Sequence, residues 1–209
     1  MQSKTNEQAL ESAIERELTG TCLEELKITG NMLKETEPEY IASNGFFIGD
    51  NNNFNAKYAI DEVRFWHYLE QTQKEELEKL QRSDDWKLRI LERYDRMVKK
   101  YGILRLLRKG LEVEDAHFTL LYQLPMSSSS QSVKDNFEKN EFSVTRQVRY
   151  NLDNAREEID MVVFINGIAI ATLELKNPWT GQNAKVHGIK QYKTDRDIRQ
   201  PLLNFGRCI

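Results

Sequence analysis

Residues 158–176 read EIDMVVFINGIAIATLELK, and the rest of the chain is organised around this stretch. Two runs rich in β-branched and apolar residues, 159–165 and 168–175, flank the dipeptide Asn166-Gly167. Asn-Gly between two such runs is the strongest short-range sequence signal for a β-hairpin. The stretch therefore predicts two antiparallel strands joined by a tight turn.

Charged residues stand at the open end of this hairpin: Asp160 on the first strand, Glu174 and Lys176 at the end of the second. Because successive side chains of a strand point to opposite faces, Glu174 and Lys176 share a face and Leu175 points to the other. A charge on an apolar strand loses hydration unless something pairs with it. A divalent metal ion held by Asp160 and Glu174 is one such partner.

The type of turn decides whether Asp160 and Glu174 share a face. A two-residue loop in a regular ladder pairs Ile165 with Ile168 and puts Asp160 opposite Leu173, on the wrong face. A type I turn with Gly167 as a left-handed bulge pairs Phe164 with Ile168 and brings all three charged groups to one face. We predict the bulged turn.

The spacing D…E-x-K is a weak pattern when taken alone. The chain contains a second E-x-K at Glu25-Leu26-Lys27, in a stretch that the pattern predicts to be helical. Structural ion pairs also cluster charges at strand ends, so a salt bridge without catalytic function is the alternative interpretation. The surrounding sequence has to decide between the two.

Composition indicates a globular chain. Its 209 residues are 39% hydrophobic and 30% charged, and no apolar run approaches the length of a membrane span. The N-terminus lacks the apolar segment of a signal peptide, so we expect a cytoplasmic protein without membrane contact. The two cysteines, Cys22 and Cys208, do not form a zinc-binding spacing. A net charge of −3 means that any contact with nucleic acid has to come from a local basic patch.

Hydrophobic periodicity predicts three helical regions. The first covers residues 5–19 with Leu10, Ile14 and Leu18 on its apolar stripe. Two amphipathic helices are expected at about 60–80 and about 86–109, the second after a capping sequence at 83–85. Lysine and arginine crowd the outer sides of this last helix, which is the most basic surface in the sequence.

Alternation of polar and apolar residues predicts two further strands, at 117–124 and 142–150. Asparagine and glycine dominate 41–55, which we interpret as a loop. A further helix is expected at about 184–194, and the final residues 205–209 have the pattern of a strand that has been cut. We therefore expect a fragment of a longer protein.

Several segments resemble, in order, the N-terminal part of the restriction (R) subunit of type I restriction enzymes, the HsdR-type family. The resemblance covers 100–209 best. The matching segments are Arg146-Gln-Val-Arg-Tyr150, the hairpin, Glu174-Leu-Lys-Asn-Pro178, Thr180-Gly-Gln182, Gln191-Tyr192 and Thr194-Asp-Arg-Asp197.

The resemblance implies an α/β nuclease domain of the PD-(D/E)xK class, with a central mixed sheet flanked by helices and a helical insertion. It implies that Asp160 and Glu174 are catalytic and bind Mg²⁺, and that Lys176 positions or activates the attacking water. A third acid from the first helix fits the family pattern at Glu11 or Glu15, and Glu15 is preferred. The residues expected to contact the substrate are Gln191, Tyr192, Arg146 and Arg149.

In the wider nuclease class a Q-x-x-x-Y motif is common, but here Gly188 stands four residues before Tyr192 and the glutamine is Gln191. On a helix Gln191 points about a quarter turn away from Tyr192. We expect the following domain division: an N-terminal helical part at 1–40, a loop at 41–58, a helical subdomain at 59–110 and the nuclease core at 111–209. ATP would serve only the full-length subunit, because these residues contain no G-x-x-x-x-G-K-[ST] phosphate loop.

The first functional hypothesis is a Mg²⁺-dependent endonuclease domain that cuts unmodified double-stranded DNA within a complex containing modification and specificity subunits. The alternative is a non-catalytic domain of the same complex that docks DNA or partner subunits. A third hypothesis is a helical nucleic-acid-binding protein that works through its basic face alone. Salt-dependent binding that ignores Asp160→Ala would be its signature.

Overall fold

The computed structural model describes residues 2–28, 45–154, 156–175, 190, 194 and 196–204. Within these residues the chain forms seven helices and eight strands. The helices are α1 Gln2–Thr19, α2 Leu23–Ile28, α3 Glu62–Thr72, α4 Lys74–Leu80, α5 Trp86–Tyr101, α6 Ile103–Lys109 and α7 Gln131–Phe137. The strands are β1 Phe46–Ile48, β2 Phe54–Asn55, β3 Ile60–Asp61, β4 Leu111–Val113, β5 Ala116–Phe118, β6 Phe142–Arg149, β7 Glu158–Ile165 and β8 Ile168–Leu173.

Six strands form one mixed sheet in the order β1-β6-β7-β8-β3-β2. Strand β1 runs parallel to β6, and the other neighbours are antiparallel. The long strands β6, β7 and β8 occupy the centre, and β4 and β5 pair in a small sheet of their own. This architecture confirms the expected fold, an α/β protein with a mixed sheet flanked by helices.

The predicted hairpin forms, but the predicted turn is wrong. Ile165 pairs with Ile168, so Asn166 and Gly167 make a two-residue turn in which both residues have positive φ, 51° and 76°. Positive φ at both central positions is the type I′ geometry that suits the right-handed twist of two paired strands. The bulged type I turn predicted from the sequence is therefore absent from this hairpin.

A β-bulge further along β8 changes which side chains share a face, as the bulged turn was expected to do. Phe164 lies opposite Ala169 while Val163 lies opposite Ala171, so Ile170 is an extra residue on β8. The register then continues to Met161 opposite Leu173. The paired register ends there, where β8 ends; continued by one residue, it would place Asp160 opposite Glu174, and directly opposite residues share a face of the sheet. We therefore still expect the two acids to share a face, although the predicted turn is wrong.

The hairpin turn is anchored on three neighbouring segments. The buried Asn166 side chain donates to the carbonyl of Leu120 at 2.9 Å and to Asn140 Oδ1 at 3.0 Å, and it accepts from the Glu141 amide at 2.7 Å. The Gly167 carbonyl accepts from the Asp61 amide at 2.7 Å. A β-carbon on Gly167 would lie 2.4 Å from the backbone nitrogen of Phe65, so the start of α3 sits directly on the turn.

Each of the two long helices predicted for 60–80 and 86–109 is divided in two. Gln73 leaves helical geometry with φ −144°, and its side chain bonds the backbone of Thr119 at 2.5 and 2.8 Å. Gly102, with φ 78°, separates α5 from α6. The predicted cap at 83–85 is also corrected: Asp85 precedes α5 without a side-chain capping bond and instead accepts bonds from Ser83 and Arg89.

The remaining predictions of strands, loop and domains agree with the structure only in part. Strand β6 matches the prediction for 142–150, whereas β5 covers only the beginning of the strand expected at 117–124. The interval interpreted as a loop at 41–58 contains the edge strands β1 and β2. Most of the helix expected at 184–194, and the strand expected at 205–209, lie outside the described residues. The division into four domains stays a prediction.

Two clusters of buried side chains hold the elements together. The larger one joins α3 to α6 with β4 and β5 and extends to Ile60 and Ile168 of the main sheet. The smaller one joins β6 and β7 with Ala169 of β8 and with Leu202 near the end of the described chain. The helices at 62–109 are therefore packed against the strand that carries Glu174 at its end, which fixes that strand from its turn side.

Candidate functional site

The two acids of the hairpin lie at the end of the sheet that is remote from the turn. Asp160 is half-buried, and its Oδ2 accepts a hydrogen bond from the Leu175 amide at 2.6 Å. The Glu174 side chain is 2% exposed. A carboxylate this deeply buried has to be balanced by a positive group, because removing it from water is costly.

Three of the predicted site residues cannot be placed. Lys176, Gln191 and Tyr192 lie outside the described residues, and their roles stay predictions. Arg149 is described: it is exposed and forms an ion pair with Glu158 at 3.0 Å across β6 and β7. It is thus available to a substrate at the surface of the sheet.

The buried side of helix α1 carries acidic residues, whereas an apolar stripe was predicted there. Glu11, Glu15 and Thr19 are buried, whereas Leu10 is 39% exposed and belongs to the outer side. The predicted stripe through Leu10 is therefore wrong at that position, although Ile14 and Leu18 remain half-buried. Both candidate acids of this helix face inward.

A single arginine holds these acids. Arg146 of β6 has a side chain only 6% exposed. Its Nε lies 2.9 Å from Glu11 Oε2, and its Nη1 lies 3.2 Å from Glu15 Oε2 and 2.9 Å from each carboxylate oxygen of Glu24. The cluster joins α1 and α2 to the centre of the sheet. A substrate role for Arg146 stays a prediction, and the contacts show that it neutralises carboxylates.

The electrostatics of the two α1 acids differ in one respect. Burial raises the pKa of Glu11 and of Glu15 above the ordinary carboxyl value, although Arg146 acts in the opposite direction on both. The charge of Asp160 adds to the raised pKa of Glu11. Among the larger influences on these two carboxyls, the charge of Asp160 acts on Glu11.

Arg196 is a site residue that the sequence did not assign. Its guanidinium forms an ion pair with Glu174 Oε1, and the Arg196 side chain is 9% exposed. It also stacks on Tyr150 at 5.4 Å, while the Tyr150 hydroxyl donates to Glu157 at 2.6 Å. The segment Thr194-Asp-Arg-Asp197 carried the family resemblance, so the residue was visible in the sequence. Its partner was not, because 22 residues separate Arg196 from Glu174.

The acids present suit a hard cation in number and chemistry. In the part of the chain that the structure describes, no three His, Cys, Asp or Glu side chains are grouped to hold a metal ion. Mg²⁺, however, is commonly held by one or two carboxylates, with water and substrate phosphate completing its shell. Glu15 Oε1 is buried and has no hydrogen-bond partner among the described residues. The candidate metal ligands are therefore Asp160 and Glu174 on the hairpin, and Glu15 on α1 has a carboxylate oxygen without a partner among the described residues.

The fold is an α/β arrangement with a mixed sheet flanked by helices, consistent with the restriction-endonuclease-like class. The chain belongs to the family described as type I restriction enzyme R protein N terminus, which matches residues 34–209. It is also similar to the putative type I restriction enzyme MjaIXP endonuclease subunit of Methanocaldococcus jannaschii, with 46% identity over 70 residues. That match covers 32% of this chain and 7% of the relative, so the chain matches a small part of a much longer protein.

No solved structure matches the chain. Among the described residues, none of the helices combines the length and the apolar character needed to cross a membrane. The family match begins after α1 and α2, so the helices that carry Glu11, Glu15 and Glu24 precede the matched region.

Proposed function

We propose that this chain is the Mg²⁺-dependent endonuclease domain of a type I restriction enzyme R subunit, of the PD-(D/E)xK class, and that it hydrolyses phosphodiester bonds of unmodified double-stranded DNA. The proposal includes a cytoplasmic location and assembly with modification and specificity subunits. The family membership supports the subunit and the restriction system. The chemistry rests on the site described above.

The observation that carries the proposal is the register of the hairpin. The extra residue Ile170 shifts the register so that Met161 lies opposite Leu173, and the same register continued by one residue would bring Asp160 opposite Glu174, which a regular ladder from the two-residue turn would have separated. A β-bulge bends its strand and disturbs the ladder, so it is often found next to active sites, where it redirects a side chain. Its position near the two acids supports the proposed catalytic pair.

Mg²⁺ held by Asp160 and Glu174 would lower the pKa of a bound water and withdraw charge from the scissile phosphate. The chain's own groups supply the remainder. The Leu175 amide fixes the orientation of the Asp160 carboxylate through its 2.6 Å hydrogen bond. Lys176, two residues beyond Glu174, is proposed to orient the attacking water and to offset negative charge that builds up on the phosphate.

Arg196 and Arg146 each neutralise candidate acids of the site. Arg196 balances Glu174, and Arg146 balances Glu11 and Glu15. Arg146 thereby keeps like-charged carboxylates together that would otherwise repel each other. We propose that α1 contributes the third acid, and the choice between Glu11 and Glu15 is open to experiment. Glu15 was preferred from the sequence, while the field of Asp160 acts on Glu11.

The test uses the full-length R subunit assembled with its partner subunits. Asp160→Asn, Glu174→Gln and Lys176→Ala should each abolish cleavage of unmodified DNA in Mg²⁺ while ATP hydrolysis continues. Glu158→Gln is the matched control, because this acid lies on the same strand and pairs with Arg149 at the surface. It should cut like the unmodified enzyme. Normal cleavage by Lys176→Ala would refute the assignment of the site.

The α1 acids are tested in the same assay. Glu11→Gln and Glu15→Gln remove one carboxylate each and keep the size of the side chain. The variant that needs a higher Mg²⁺ concentration for half-maximal cleavage identifies the third acid. Equal Mg²⁺ dependence of both variants and the unmodified enzyme would limit the metal ligands to the hairpin.

A second candidate function, a non-catalytic domain that docks DNA or partner subunits, is favoured by one observation. Glu11, Glu15 and Glu174 all have arginine partners, as structural ion pairs do. This function predicts that Asp160→Asn leaves cleavage unchanged but weakens assembly of the complex. Cleavage and assembly measured on the same variants therefore separate the two functions.

A further inference from the structure

The strongest concentration of positive charge lies on the helices that pack behind the hairpin. Residues 86–109, which span α5 and α6, contain nine lysines and arginines and two acids, a formal charge of +7 in a chain of −3. The rest of the chain is therefore distinctly acidic. A patch of this sign in such a chain is a candidate surface for a polyanion.

The charges are ordered along the helices. Arg93, Arg96 and Lys100 follow one another at spacings of three and four residues, which places them in a row on one side of α5. The other side of the helix is anchored in the core through Ile90, Tyr94 and Val98, each at most 2% exposed. The row is thus displayed on a rigid element and does not depend on a loop.

Most of these cations are not neutralised within the protein. Arg89 is bridged by Asp85 and Glu114, and Lys99 by Asp95, so these two contribute little. In the described part of the chain, the other seven have no carboxylate partner; Lys87 lies over the rings of Trp66 and Trp86, and six remain. We call them the basic face: Arg93, Arg96, Lys100, Arg105, Arg108 and Lys109.

An aromatic residue stands within the basic face. Tyr101 is 38% exposed, with the Arg105 guanidinium 4.2 Å and the Lys100 amine 4.9 Å from its ring centre. Stacking of this kind holds long cationic side chains in place and lowers the entropy lost when they bind. Arg105, from α6, thereby joins the row on α5 across the bend at Gly102.

We propose that the basic face binds the phosphate backbone of duplex DNA, as a contact surface separate from the hairpin site. Helix α5 is about 24 Å long, which corresponds to roughly seven base pairs of duplex. An acidic protein is the less suitable partner, because protein interfaces are centred on apolar and aromatic residues and have few charges at their core. Contacts from lysine and arginine to phosphates position DNA without reading its sequence.

This inference rests on the proposed function only in taking DNA as the ligand, and its test needs no cleavage. The purified chain is titrated into a fluorescent duplex of about 20 base pairs in EDTA, and anisotropy is followed over a series of NaCl concentrations. The triple variant Arg96→Gln, Lys100→Gln, Arg105→Gln changes three exposed residues. The control triple variant Lys74→Gln, Arg82→Gln, Lys139→Gln removes the same charge from exposed residues elsewhere.

The basic-face variant should bind on the order of tenfold more weakly at low salt, and its slope of log K against log salt should fall by roughly 2 to 3. The control should keep both the affinity and the slope of the unmodified chain. Two sequences of duplex should bind alike. Circular dichroism and the melting temperature verify that both variants are folded.

Three results would overturn the proposal: an unmodified chain that does not bind duplex at low salt, a basic-face variant that binds like the control, or a variant that binds DNA normally but fails to assemble with the partner subunits. The last result would assign the face to protein docking. The cleavage assay tests the nuclease proposal independently of this one. If the nuclease proposal is wrong, the Asp160→Asn enzyme cuts DNA normally, whatever the basic face binds.

Discussion

At the scale of single residues, the hairpin turn shows how little space the fold leaves at Gly167. Its φ of 76° is one that L-residues rarely adopt, and a β-carbon would meet the backbone of Phe65 and Asp61 at 2.4 and 2.5 Å. Neither contact is with a flexible side chain. Two separate reasons therefore favour glycine at this position: the positive φ, and the lack of space for a β-carbon between the turn and the backbone of Phe65 and Asp61.

Gly167→Ala should lower the free energy of unfolding more than Gly45→Ala does. Gly45 has a similarly positive φ of 90°, but no atom of the described residues lies within 4 Å of its missing β-carbon, so it isolates the conformational cost, roughly 1–2 kcal/mol. The clash at Gly167 should add about 1–3 kcal/mol. Urea denaturation of both variants measures the difference. Equal losses would show that α3 yields to the added methyl group.

Asp61 offers a prediction about pH. Burial raises the pKa of its carboxyl, while hydrogen bonding to the Arg64 amide and the nearby guanidinium of Arg64 lower it, with burial the largest influence. Because the folded-state pKa lies above the unfolded value of 3.8, the folded protein binds more protons in that interval. Its contribution to stability therefore falls as pH rises from 3.8 through the folded-state pKa.

Asp61→Asn should remove this dependence while keeping the cap of α3, since asparagine also accepts a bond from the helix amide. The unfolding free energy of the variant, measured relative to the unmodified chain in urea between pH 4 and 8, should increase with pH. Other titrating groups are common to both proteins. A relative stability that decreases with pH would show that the pairing with Arg64 outweighs burial.

At the scale of elements, the sequence predicted the hairpin, its face and most helical regions correctly. It could not locate the extra residue in β8. A bulge in the turn and a bulge at Ile170 have the same effect on which side chains share a face, so alternation of polar and apolar residues cannot distinguish them. The break between α3 and α4 at Gln73 could not be predicted from the sequence for another reason. Its partner, Thr119, is 46 residues away.

Gln73→Ala tests why the helix ends there. The side chain satisfies both the amide and the carbonyl of Thr119, at 2.5 and 2.8 Å, and its loss leaves these half-buried groups without that partner. We expect a loss of about 1–3 kcal/mol in unfolding free energy. The exposed Gln81 is the control, and Gln81→Ala should change stability by less than about 0.5 kcal/mol. Chemical denaturation of both variants decides the matter.

At the scale of the whole molecule, α1 and α2 are attached to the sheet through charge. The sequence predicted α1, but it predicted that apolar residues would be buried, because periodicity considers one segment at a time. Glu11 and Glu15 are buried because Arg146 supplies their counter-charge from 135 and 131 residues further along the chain. The candidate site residues of the hairpin were proposed from the local sequence pattern and from the family resemblance, and their roles stay predictions. The arginines that balance the acids were not.

Arg146→Gln should destabilise the protein by roughly 3–5 kcal/mol, since it leaves several carboxylates close together without their cation. Arg149→Gln, three residues along the same strand, breaks only the surface pair with Glu158 and should cost less than about 1 kcal/mol. Millimolar Mg²⁺ should restore part of the lost stability to the first variant and none to the second. Thermal melts with Mg²⁺ and with EDTA measure this. Similar melting temperatures of the two variants would mean that the cluster contributes little.

The contacts that anchor the hairpin turn also affect the position of Asp160 at the other end of the hairpin. Asp160 stands five residues from Ile165, about 17 Å along the strand at its ordinary rise of about 3.3 Å per residue. The turn end of the hairpin is fixed by the contacts of Asn166 and Gly167 with the segments around Leu120, Glu141 and Asp61. A rotation of the hairpin by about 3° about these contacts would move its open end by about 0.9 Å. A displacement of this size can lower a catalytic rate on the order of a hundredfold. Residues at the turn thus help to set the position of the proposed catalytic acids, which they do not contact.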